Sequence, residues 1–398
     1  MDQVTSIVKH LSGTADEAAR KKILLQLRDL AYSIETPDDT MGRIMFLHLQ
    51  ISGVRVGDDL RIFNLIAEHK DPMTLEQLQA ASGADIILLG RLLRYLASIG
   101  MIKETEQRTF EATNVTTSLA DPGNQAGIRH YFDHVGPQFQ KLPSFLLCNG
   151  YQNITDRSNT VFQSAWKTDL PVFEWLSQHP EHFDNLNQHM AARRLQMPSW
   201  MSVFPFEREA KGWHETDPLF VDIGGGIGHQ CAELKAIYPS IKGRVILQDL
   251  PHSIEQALST PGVENMAQDF FLPQPIRGIP PILPYYYCFT YQSPGAKIYY
   301  MRGILHDFPD EKCRLILHNV ISAMGEASMI LIDDMVLPES HANWQATQVD
   351  ITMMCALASM ERTEAQWRTL LATVGLKIAD IMVYTPGCHE SVILAVRE

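Results

Sequence analysis

Apolar positions in the first half of the chain recur at helical spacing. Leu24, Leu27, Leu30 and Ala31 mark one face of a helix predicted over residues 16–35, and a second amphipathic helix is predicted over 38–53. Three short helices follow at 61–68, 74–81 and 86–99. A hairpin is then expected from 101–105 and 108–113, and three helices plus a hairpin form a winged-helix pattern. Residues 123–213 read as mostly helical and rich in Trp, Phe, Met and His. Beyond about residue 215 the pattern changes: short apolar runs at 219–223 and 245–250, another near 266 and a further one at 330–337 alternate with helical stretches at 230–237 and 311–324. Strands alternating with helices predict an α/β layer.

Composition fits a folded enzyme. The 398 residues are 45% hydrophobic and 20% charged, which supports a large core or two or three domains. The winged-helix pattern raises a DNA-binding regulator as a second class of function, with 86–99 as recognition helix. The net charge of −13 opposes phosphate binding, and that helix offers only Arg91 and Arg94. The module therefore reads as a dimerisation scaffold, with no nucleic-acid partner expected. The first ten residues lack an apolar signal core, and no apolar run reaches the ~18 residues of a spanning helix. A cytoplasmic protein with no membrane partner is expected. Cys148, Cys231, Cys288, Cys313, Cys355 and Cys388 show no metal-ligand spacing and read as reduced core residues. The sequons at 114–116 and 153–155 carry no meaning without an export signal.

The most informative stretch is Phe220-Val-Asp-Ile-Gly-Gly-Gly-Ile-Gly-His229. A strand delivers Asp222 to its end, and Gly224, Gly225, Gly226 and Gly228 let the backbone turn where a nucleotide-like ligand approaches. His229 stands where a dinucleotide fingerprint has its third glycine. The run 245–250 ends in Asp249 and Leu250, at the distance where an acid binds ribose hydroxyls. Met266-Ala-Gln-Asp-Phe-Phe271 adds Asp269 to hydrogen-bond an adenine amine and Phe270 to cover its ring.

Together these residues resemble the S-adenosylmethionine (SAM) site of class I methyltransferases. Tyr300-Met-Arg-Gly-Ile-Leu-His-Asp-Phe-Pro-Asp310 looks like the L-x-H-D-W-x-D segment of caffeate-type plant and fungal O-methyltransferases. Residues 330–339 and the E-R-T run Glu361-Arg-Thr363 follow in family order. The resemblance spans nearly the whole chain. It implies a Rossmann-like SAM domain over 215–398, a helical substrate roof over 123–214 and a winged-helix dimerisation domain over 1–122, assembled as a homodimer. It also implies His306 as general base, Asp334 and Glu361 as its flanking carboxylates, and Arg302 with the glycine-loop residues at the cofactor. Asp334 stands where the family has glutamate, one methylene longer, and Asp333 beside it could share the task. No metal is expected.

Plainer readings exist for these residues. His306 and Asp307 could start or cap the following helix, and Glu361 could pair on a solvated surface. His130, His134, Phe162, Trp166, Met190, Arg194, Met353 and Leu357 are candidate acceptor-pocket residues. The aromatics and methionines equally suit plain core, and the histidines and Arg194 suit simple surface solvation. The expected function is O-methylation of an aromatic or polyketide-type hydroxyl. The rival is a SAM-binding pericyclase or dehydratase of the same fold, acting on a polyketide-derived pyridone without methyl transfer. A SAM-binding subunit without chemistry would have no use for His306.

Overall fold

The computed structural model describes residues 2–195, 198–277 and 295–398, so Cys288 lies outside the described residues. The chain forms two compact units. One comprises Met1–Gln152 with Val161–Met197, the other Asn153–Thr160 with Pro198–Glu398. Among the described residues no helix is long and apolar enough to cross a membrane.

In the first unit a helix Asp2–Thr14, which the periodicity did not reveal, precedes the helix Glu17–Ser33. The second expected helix is two, Pro37–Met45 and Leu47–Asp59, broken at Phe46. Thr36 and Asp39 form a capping box at the start of the first of these, with Pro37 in its first turn. The winged-helix module is present. Helices Ile62–Glu68, Leu75–Ser82 and Ile86–Ser98 pack around Phe63, Leu78, Leu89, Leu93, Leu96 and Phe110. A small antiparallel sheet joins β1 (Met73–Thr74), β2 (Lys103–Glu106) and β3 (Thr109–Glu111) in the order β1-β3-β2. Leu24, Leu30, Ile34, Met45, Phe46 and Leu47 of the preceding helices stay exposed, more apolar surface than isolated side chains leave on a monomer.

A buried carboxylate ties this unit together. Asp58 accepts two hydrogen bonds from Arg129, at 2.7 and 3.0 Å, joining the helices Leu47–Asp59 and Pro122–Arg129. The latter runs into a π-helical turn, His130–Val135. Against the expectation of a solvated surface, His130 and His134 are buried, at 7% and 2% exposure. The His134 ring stacks on Trp175 with centroids 5.4 Å apart, and Phe162, Trp166 and His182 surround it at 5.6–5.9 Å.

The second unit is built on a twisted sheet. Parallel strands β4 (Pro218–Ile223), β5 (Arg244–Asp249), β6 (Val263–Ala267), β7 (Ile298–Arg302) and β8 (Met329–Leu337) are followed by the short β9 (Arg362–Thr363), β10 (Leu376–Thr385) and β11 (Glu390–Arg397). Their order is β10-β11-β8-β7-β4-β5-β6, with β11 antiparallel to β8 and β9 beside β8. The chain winds outward from β4 through β5 and β6 and then returns to β7 on the other side of β4. That reversal opens a crevice at the carboxyl ends of β4 and β7, where doubly wound sheets bind ligands. One core, including Val221, Ile246, Met301, Ile332, Trp367 and Leu371, fixes the strands and their covering helices.

Burial pushes His130 down to about 4 and His134 to about 3. Both rings are therefore neutral when folded, while the unfolded chain takes up their protons below about pH 6.5. Their contribution is whole above that value and is lost as pH falls toward the folded values. We expect the unfolding free energy from urea titrations to fall between about pH 7 and about pH 4.5, and less steeply in His134→Leu. Equal slopes in the two proteins would show that the ring is not held neutral.

Candidate active site

The glycine loop follows β4 directly. Gly224, Gly226 and Gly228 adopt φ of 67°, 62° and 93°, which favours glycine. At Gly225 the constraint is the protein itself: a Cβ there would sit 2.5 Å from the Asp222 carboxyl and 2.6 Å from Leu247. Asp222 is buried beneath the loop, where it accepts from the Cys231 thiol at 3.6 Å. Asp249 at the end of β5 accepts from the Gly226 N–H at 2.8 Å and from the Leu250 N–H at 2.7 Å. Asp269 accepts from the Phe271 N–H at 2.8 Å, and the Phe270 ring lies 3.4 Å from where a Gly224 Cβ would stand. The structure thus brings the glycine loop, Asp249 and Phe270 to one crevice. A cleft of about 670 Å³ lined by Trp213, His214, Tyr238 and Lys242 lies instead at the opening ends of β4 and β5, away from these groups.

His306 sits in a 3₁₀ turn, Leu305–Asp307, between β7 and the helix Asp310–Ile321. That helix has Pro309 at its N-cap with no side-chain cap, so neither His306 nor Asp307 serves there. His306 Nδ1 is 2.7 Å from Glu361 Oε1. Glu361 is buried rather than solvated, at 3% exposure. With Nδ1 engaged by a carboxylate, Nε2 is left as the basic nitrogen. It lies 3.4 Å from Asp307 Oδ1, on a side chain that keeps 23% exposure and so stays within reach of a ligand.

Burial alone would lower the affinity of His306 for a proton. The carboxylates of Glu361, Asp307 and Asp334 outweigh it and raise the imidazole well above its ordinary value. Asp334 is itself raised well above the carboxylate range by burial, although His306 opposes this. Its Oδ2 has no hydrogen-bond partner, and Glu361 alone of the two expected flanking acids is bonded to the ring. The shorter side chain acts on His306 through charge. Asp333 does not share the task. Alternation along β8 turns it to the other face, where it accepts from Tyr300 and, at 2.7 Å, from Tyr384. Arg302, expected at the cofactor, is drawn to the same carboxylate, at 3.4 Å. Burial disfavours its charge, but Asp333 outweighs burial and raises it.

Of the candidate pocket residues, Met353 is half-buried and Leu357 buried on the helix Trp344–Leu357 that precedes Glu361. His130, His134, Phe162 and Trp166 gather in the first unit, with Met190 half-buried on the helix Pro180–Leu195. The Arg194 side chain lies outside the described residues. Trp175 of the helical segment, together with His179 and His182, which carry no mark in the sequence, completes that aromatic cluster. The reading of the sequence missed the Tyr300 and Tyr384 hydroxyls on Asp333. Tyr300 stands within the motif around His306, whereas nothing local marks Tyr384.

Residues 154–277 and 287–377 match the model of an O-methyltransferase domain, and residues 54–121 that of an O-methyltransferase dimerisation domain. The chain belongs to the O-methyltransferase family. It is 37% identical over 397 residues to a demethylsterigmatocystin 6-O-methyltransferase of Aspergillus parasiticus, covering 100% of this chain and 98% of that one. Two solved structures superpose with a TM-score of 0.90 at 37% identity over 100% of this chain. One is described as a pericyclic reaction enzyme, covered to 99%. The other is described as LepI in complex with SAM, covered to 98%. This O-methyltransferase fold accounts for the crevice at the carboxyl ends of β4 and β7 and for the module at 54–121.

The neighbours on β8 should respond differently to the same change. Asp333→Ala leaves Arg302 and two tyrosine hydroxyls without their shared acceptor and should cost about 3 kcal/mol or more of stability. Asp334→Asn replaces a buried carboxyl that has an unpartnered oxygen and whose charged form burial disfavours, and it should be near neutral or stabilising. Denaturant titrations measure both, and a larger loss for Asp334→Asn would show that the two roles are reversed.

Proposed function

We propose that this O-methyltransferase family member uses SAM to methylate a hydroxyl of an aromatic or polyketide-type small molecule, with His306 as general base. The observation that carries the reading is the 2.7 Å contact between His306 Nδ1 and buried Glu361, with Nε2 still accessible. When bound, SAM supplies a methyl group activated on a sulfonium. The residues present suit it: Gly226 opens onto free space, Asp249 stands at the end of β5 for ribose hydroxyls, and Asp269 and Phe270 stand where an adenine would lie. His306 Nε2 takes the acceptor proton, and Glu361 stabilises the imidazolium. Asp334 adds negative charge on the same side.

A second reading is favoured by one observation. The carboxylates around His306 favour its protonated form, and a protonated ring is a proton donor, as a dehydration or pericyclic rearrangement without methyl transfer would use. The likeness to a pericyclic reaction enzyme supports the same reading.

Incubation with radiolabelled SAM and a panel of phenols, polyketide enols and pyridone alcohols separates the two. We expect label transfer, and a loss of about 10² to 10⁴ in rate in His306→Ala with SAM binding retained. Product formed without label would replace methyl transfer by the rearrangement.

The pH profile gives an independent check. Because His306 must shed its proton to act as base, the rate should climb with pH along a limb lying above about pH 6.5. Glu361→Gln, which keeps the shape and loses the charge, should move that limb toward lower pH. A limb that stays in place would remove Glu361 as the partner of the base.

A further inference from the structure

Resting on the reading of His306 as the reactive base, we infer that Arg362 and Ser359 form a clamp that holds the His306 turn in register with Glu361, making both positioning residues. The Arg362 guanidinium is 1% exposed, and its hydrogen bonds converge on the turn. Nη1 donates to the Leu305 carbonyl and Nη2 to the Phe308 carbonyl, both at 3.0 Å, so the two contacts straddle His306. Nε and Nη2 also donate to Asp310 Oδ1, at 3.1 and 2.8 Å, fixing the first residue of the following helix. The Trp367 ring lies 5.1 Å from the guanidinium centre. Ser359 adds a second point of attachment. Its hydroxyl has one proton to share between the His306 carbonyl and the Phe308 carbonyl, the latter at 3.0 Å.

These residues and Glu361 come from one short segment. The helix Trp344–Leu357 ends at Ala358, whose φ of 54° is left-handed and turns the chain back. The Glu361 N–H is then tied to Asp350 Oδ1 of that helix at 2.9 Å, and Arg362 enters β9 beside β8. Residues 359–362 therefore hold His306 at its ring nitrogen, at its own carbonyl and at the carbonyls on both sides. The 2.7 Å bond to Glu361 depends on the relative position of two loops, and displacement of about 1 Å is enough to break such a bond. The guanidinium divides its bonds between these two carbonyls and the Asp310 carboxylate, so it ties the His306 turn to the start of the following helix.

The test uses the full chain and needs no substrate. The titration of the His306 imidazole is followed by NMR of ¹⁵N-histidine-labelled protein, its resonance identified by its absence in His306→Gln. Binding of S-adenosylhomocysteine is measured by calorimetry alongside. Ser359→Ala leaves Glu361, Asp307 and Asp334 in place. It should lower the His306 midpoint by about one unit or more while cofactor affinity changes less than about twofold. Ser359→Thr, which keeps the hydroxyl, should restore the midpoint. Arg362→Lys, which cannot span both carbonyls, should lower the midpoint as Ser359→Ala does. A folded Ser359→Ala protein with the wild-type midpoint would overturn the clamp, even if its melting temperature fell. If the wild-type protein transfers no methyl group, the reading of His306 as base fails, while the NMR midpoints still decide whether the clamp exists.

Discussion

The proposed site in the second unit depends on keeping one imidazole among three carboxylates. Burying Glu361 and Asp334 is unfavourable unless a cation or donor meets them. His306 is that partner, at 2.7 Å from Glu361 and within the field of Asp334. The arrangement requires the ends of β7 and β8 and the segment after the helix Trp344–Leu357 to arrive together. Strand alternation sorts the Asp333-Asp334 pair onto opposite faces. Asp333 is met by Tyr300, Tyr384 and Arg302, so only one of the two adjacent acids adds to the charge around His306.

Much of this was legible in the sequence because motif and geometry coincide there. An apolar strand running into Gly224–Gly226 can only turn, and acids at successive strand ends gather at one edge of a parallel sheet. The winged-helix module was legible from periodicity and turn spacing, and its strands and helices lie within a few residues of expectation. What stayed hidden was decided by partners distant in the chain. Nothing near Asp333 announces Tyr384, fifty-one positions away, as a hydroxyl it accepts from on the face away from His306. The Asp333 counter-charge of Arg302 is likewise distant in the chain and unmarked in the motif around Arg302. His130 and His134 are spaced to share a helical face, but His134 is packed by Trp175 and His182 from further along the chain. The break at Phe46 carries no proline or glycine to mark it.

The raised proton affinity of His306 bears on which reaction such a site performs. Glu361, Asp307 and Asp334 favour the doubly protonated ring, whereas the proposed methyl transfer needs Nε2 bare as the acceptor arrives. An acidic acceptor such as a phenol or enol can enter as its anion, pairing with the charged ring and leaving only the alignment of oxygen and methyl group to be supplied. An unactivated alcohol cannot enter in that way, and the charged ring would instead donate its proton to a leaving hydroxyl. On the proposed reading, this carboxylate environment suits acidic hydroxyls for methylation, with proton donation as the competing outcome. Acceptor acidity, more than the identity of the base, would then divide the two proposed reactions.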